Sequence, residues 1–69
     1  MPLTLAVPGE ENLIRRIGGN EEVRAHLQNL GFVPGGTVTV NSSIGGNLIV
    51  NVKGARVAVS KEMAQKIMV

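Results

Sequence analysis

NEEVRAHLQNLGFVPGGTVTV, Asn20 to Val40, is the stretch that decides the fold. Asn20 is a good N-cap, and Glu21 and Glu22 then place negative charge in the first turn, where the helix dipole favours it. Val23, Leu27 and Leu30 follow at i, i+4 and i+7, one apolar stripe of a helix. Gly31 reads as the C′ residue in the left-handed conformation, with Phe32 at C″ packing back on Leu27, the contact of a Schellman ending. Val33-Pro34-Gly35 then turns the chain into Thr37-Val38-Thr39-Val40-Asn41, which alternates as a strand with Val38 and Val40 inward. Helical and extended periodicities therefore meet across a junction of residues with narrow backbone preferences.

Working outward toward the N-terminus, Gly18-Gly19 breaks a strand expected over Glu11 to Ile17. On period two, Leu13 and Ile17 share its inward face, with Arg15 at the rim. Before it, Leu3, Leu5 and Val7 alternate with Thr4 and Ala6 as an extended arm. The arm ends at Pro8-Gly9, a pairing that suits a type II turn. Val7-Pro8-Gly9 and Val33-Pro34-Gly35 are one turn chemistry used twice, not a duplication.

Toward the C-terminus, Ser43 to Asn47 reads as a loop. Leu48, Val50 and Val52 alternate with Ile49, Asn51 and Lys53, Lys53-Gly54 is a tight hairpin signal, and Val57 and Val59 continue a three-strand antiparallel meander. Ser60 caps a last helix expected from Lys61 to about Met68, with Met63 and Ile67 on its apolar side.

The chain has 69 residues, room for one domain over 1–69. A chain of this size buries only roughly 60% of its unfolded surface, so a few kcal/mol of stability is expected. There is no cysteine, which removes disulfides and thiolate metal sites and suits a reducing cytoplasm. The chain is 43% hydrophobic with Phe32 its one aromatic, so the core is aliphatic. Five short strands, one helix after the first long strand and a short C-terminal helix make a mainly β domain, a small, partly open SH3-like barrel.

Seven Lys/Arg against five Asp/Glu leave a net charge of +2, scattered along the chain. A nucleic-acid module clusters its charge and interleaves stacking aromatics, so that class fits poorly. No apolar run reaches the roughly 20 residues that span a bilayer, and MPLTLAVPGEEN lacks the regions of a signal peptide. A soluble cytoplasmic protein is expected. Of the glycine pairs, only Gly18-Gly19 precedes a helix, and Glu21 and Glu22 there would repel phosphate. No nucleophile with a plausible base and no paired carboxylates support an enzyme.

The succession of residues resembles a known family. Leu3-Thr4-Leu5, Pro8-Gly9-Glu10, Arg16-Ile17, the string Leu27-x-x-Leu30-Gly31-x-Val33-Pro34-Gly35, Val38-x-Val40, Ile44-Gly45-Gly46 and the Val50–Val59 hairpin look like ferrous iron transport protein A, the FeoA family. The likeness covers nearly the whole chain, and the Leu27–Gly35 string is its most specific part. It implies an SH3-like cytoplasmic domain working with a FeoB-type membrane ferrous iron permease that carries a cytoplasmic G domain. The fold is also similar to the C-terminal domain of iron-dependent repressors of the diphtheria-toxin type. That offers a metal-sensing regulatory module as an alternative, with a small nucleic-acid-binding barrel as a third.

Family members are often described as binding transition metals. In this chain His26 is the imidazole candidate, with Glu22 four residues before it on the same helical face. A zinc-type centre needs three or four donors, so these two make at most a weak divalent site, and no cofactor is required. The simpler reading of His26 is a surface histidine. For a partner, Arg15, Arg16, Lys53 and Arg56 form a basic patch if their strands are neighbours; otherwise they are solvated outward positions. Ile44 and the Phe32-Val33-Pro34 corner are apolar contact candidates, against a reading of Ile44 as a loop anchor packed under itself.

Overall fold

The computed structural model describes residues 1–69. The helix of the deciding stretch, α1, runs Glu21–Leu30, and the Asn20 side chain accepts from the Val23 N–H. Its far end is a complete Schellman ending. Gly31 has φ 110°, its N–H donates to Gln28 O, and the Phe32 N–H donates to Leu27 O, both at 2.9 Å. Leu27 and Phe32 are both fully buried, so the turn of chain that stops the helix also plants its only aromatic in the core.

Gly31 supports one test. A methyl group there would meet Val52 and Lys53 side chains at 3.6 Å, ordinary contact, so the penalty of substitution is conformational. Gly31→Val should lower stability by about 1–2 kcal/mol from the left-handed backbone. That is a fall in Tm of the order of 5–15 °C for a domain this small. An unchanged melt would refute the cap.

The remaining elements are β1 (Glu11–Leu13), β2 (Arg16–Ile17), β3 (Thr37–Ile44), β4 (Asn47–Val52), β5 (Ala55–Ser60), α2 (Lys61–Ala64) and β6 (Ile67–Met68). They build a four-stranded antiparallel sheet in the order β1-β3-β4-β5 and a two-stranded ribbon, β2-β6. The fold is mainly β as expected, and the two sheets stay open, with no ladder joining them into a closed cylinder. The inner face of the large sheet presents Val38, Val40, Leu48, Val50, Val52 and Val59. Leu3, Ile14, Leu27, Phe32, Ala64 and Ile67 complete the core against it. No helix is long and apolar enough to cross a membrane.

Four local expectations are corrected. The N-terminal arm is not extended: Leu3–Leu5 form a 3-10 turn that buries Leu3 and leaves Leu5 and Val7 exposed. The long strand from Glu11 to Ile17 is split between two sheets. Ile14 still pairs with the residues just before β3, its N–H donating to Gly36 O and its carbonyl accepting from the Gly35 N–H, both at 2.8 Å, whereas the Arg15 N–H donates to Met68 O. Ile14 is the buried residue and Leu13 is 52% exposed, the reverse of the expected phase. Two adjacent apolar residues satisfy either phase of a strand, and nothing local separates them.

The loop expected over Ser43–Asn47 is mostly strand, with only Gly45-Gly46 in the turn. A β-bulge between Val40 and Ser42 adds one residue, Asn41, to β3. Without it Ile44 would share the inward phase of Val38 and Val40; with it Ser43 opposes buried Leu48 and Ile44 turns out. Finally, the C-terminal helix stops at Ala64, and Ile67 is buried from a strand paired with β2 rather than from a helix. The Lys53-Gly54 hairpin turn stands as read: Lys53 has φ 49° and Gly54 φ 75°, and Val52 pairs with Ala55 across them.

Candidate functional site

Three surfaces hold the residues that sequence reasoning singles out. The first is on α1. Glu22 and His26, one turn apart, line an open depression of about 590 Å³ together with Asn20, Val23, Asn29 and Met63. His26 is exposed, in line with its reading as a surface histidine. Asn20 has its side-chain oxygen engaged in the cap. Nowhere do three or more His, Cys, Asp or Glu side chains come together to hold a metal ion. A carboxylate and an imidazole leave half a tetrahedral shell to water, so this donor set does not fit a resident metal centre.

The second surface is basic. Arg15, Arg16, Lys53 and Arg56 are all exposed, but Arg15 and Arg16 follow the chain into the β2-β6 ribbon, whereas Lys53 lies in the β4-β5 turn and Arg56 on β5 of the large sheet. The two pairs belong to different sheets, so strand adjacency does not gather the four into one patch. Lys53 belongs to the end of α1: its stem runs beside Gly31, where a cation suits the helix C-terminus.

The third surface is apolar. Phe32 is withdrawn from it, because the Schellman ending turns C″ inward and the ring is 0% exposed. Of that corner only Pro34 is exposed and Val33 half-covered. Pro34 precedes β3 and Ile44 ends it, so the eight residues of β3 separate them by roughly 25 Å and they do not share one patch. Ile44, 65% exposed, instead sits at the end where the N-terminal arm crosses β3. There Thr4, Ala6 and Pro8 from the arm and Ser42, Ser43 and Lys61 line a groove of about 370 Å³. Leu5, 67% exposed, and Val7, 56% exposed, belong to the same arm. The sequence signal for Leu5 and Val7 is present but misleading, since their alternation with Thr4 and Ala6 reads as a strand; only the 3-10 turn frees them.

These surfaces offer a two-donor helix face, separated cations and exposed aliphatic side chains. Known proteins resemble the chain along nearly its whole length. A family model, the FeoA domain, matches residues 1–69. The putative Fe(2+) transport protein A of Methanocaldococcus jannaschii is 31% identical over 68 residues, spanning 99% of this chain and 83% of that relative. A crystal structure of an iron uptake regulatory protein (FeoA) superposes with a TM-score of 0.89 at 31% identity, over 97% of this chain and 91% of its own. The solution structure of iron(II) transport protein A from Clostridium thermocellum gives 0.91 at 26% identity, over 99% of this chain and 43% of that one.

Proposed function

The chain belongs to the FeoA domain family, and on that basis we propose that it serves ferrous iron uptake as a cytoplasmic accessory domain that docks on a FeoB-type membrane permease and modulates it. The observation that carries this reading is the match of the family model to all of residues 1–69. A mechanism by contact fits the side chains present, since no three metal-ligating side chains come together to hold an ion.

The docking surface we assign is the end of the large sheet where β3 finishes at Ile44 and residues of the N-terminal arm, Thr4, Ala6 and Pro8, line a groove of about 370 Å³ with Ser42 and Ser43. Ile44 on β3 and Leu5 and Val7 on the arm are exposed aliphatic side chains carried by the two segments that flank that groove, the kind of feature interfaces use. The groove's one charge is Lys61, which favours an acidic rim on the permease.

The test is a titration of this domain against the cytoplasmic G domain of its own organism's permease, in the GTP-, GDP- and nucleotide-free states, with GTP hydrolysis followed in parallel. Saturable binding in at least one state is expected. Ile44→Asp should weaken it about tenfold while leaving the melt unchanged, because the side chain contacts little of its own protein. No binding in any state would defeat the reading; binding indifferent to Ile44→Asp and Leu5→Asp would defeat the assigned surface.

A further inference from the structure

The large sheet ends in an edge that nothing covers. β5 pairs with β4 alone, over all six of its residues, with no bulge and no proline. Val52 and Ala55 close a two-residue turn, so Ala55, Val57 and Val59 aim their backbone groups at β4. The N–H and C=O groups of Arg56 and Ala58 then point away from the sheet, and none of them enters any of the backbone bonds outside the ladders. The opposite edge is handled differently: β1 is only three residues long, a turn leads into it, and past Ile14 the chain crosses to the β2-β6 ribbon. An open, unbulged strand of this length is a template for another strand.

The charge beside this edge is asymmetric along its length. Lys53 and Arg56 stand exposed at the hairpin end. At the other end, Lys61 turns into the groove beside the N-terminal arm and Glu62 is left outward, with Glu22 in the neighbouring depression around Met63. An antiparallel pairing of two identical edges reverses one against the other, so the hairpin end of each, with Lys53 and Arg56, meets the α2 end of its mate, where Glu62 is exposed. Centred on Ala58, the pairing sets Arg56 opposite Ser60 of the second copy. Past Ser60 the second copy enters α2, so Lys53 and Arg56 lie at the end that carries its exposed Glu62, while its Lys61 lines its own groove. Val57, half-covered in the monomer, gains the second copy's Val59 as its cross-strand neighbour.

We propose that β5 is a self-association edge through which two copies of this chain join as a two-fold dimer with a continuous eight-stranded sheet. This does not depend on the permease reading. Six residues a side fall well short of the roughly 20–30 of a standard stable interface, so the dimer is weak, with a Kd of the order of 10 µM to 1 mM.

Sedimentation equilibrium of the full chain from about 10 µM to 1 mM tests it, that range bracketing the expected Kd. A dimer fraction rising with concentration is expected. Ala58→Pro removes only an outward N–H, so it should abolish the rise while circular dichroism and the melt keep their native form. Arg56→Glu and Glu62→Lys should each weaken dimerisation several-fold, and the double variant should restore it. Should Ala58→Pro fail to fold, the charge swap decides alone. A monomer throughout the range, or a dimer that neither Ala58→Pro nor the single charge reversals disturb, would overturn the proposal.

Discussion

Phe32→Ala should remove a large share of the domain's stability. The ring is the largest fully buried side chain, and it is held there by the backbone bond from its own N–H to Leu27 O. Truncating a buried Phe costs about 3–5 kcal/mol, part lost transfer energy and part cavity. A domain this size has about 3–10 kcal/mol in all, with no disulfide to hold the remainder. The expected melt is a broad transition shifted down by on the order of 20 °C or more, or none. Phe32→Leu should fall between the two, since it refills most of the volume. If Phe32→Ala melted within a few degrees of the parent, the ring would not be the centre of this core.

The second large effect separates two adjacent residues. Ile14 is completely buried between the sheet and the β2-β6 ribbon, whereas Leu13 is 52% exposed on the outer face. Ile14→Ala should therefore destabilise by about 2–4 kcal/mol, and Leu13→Ala by less than about 0.5 kcal/mol. Urea denaturation of both variants gives the comparison directly, with m unchanged if the native state is intact. Equal losses, or the larger loss at Leu13, would mean that the chain does not cross from one sheet to the other between Ile14 and Arg15.

That pair also shows where a reading of residues stops. The helix from Glu21, its Asn20 cap, the Gly31 stop, the Pro-Gly turns and the Lys53-Gly54 hairpin are all legible, because each rests on interactions among residues close in the chain. The candidate surfaces are legible only in part. Glu22 and His26 share a face because helical spacing alone brings them together, while the four basic residues depend on strand pairing, which takes Arg15 and Arg16 into the β2-β6 ribbon and leaves Lys53 and Arg56 at the β4-β5 hairpin. Pattern does not decide Ile44 either: its parity with Val38 and Val40 points inward, and the one-residue bulge reverses it.

By itself the sequence determined the class of the domain, its central helix-to-strand junction, its aliphatic core and its family string from Leu27 to Gly35. Tertiary structure decided the split of the first strand, the burial of Ile14 over Leu13, the short C-terminal helix and the exposure of Ile44, Leu5 and Val7. The division follows the range of the forces. Caps, turns and periodicity are settled within about four residues, where the sequence is its own context. Strand register and phase are settled by partners far along the chain, such as Arg15 with Met68, and a single added residue inverts every side chain beyond it. The deciding stretch lies on the local side of that line, which is why it could be read first, and the surfaces that would meet a partner lie on the other.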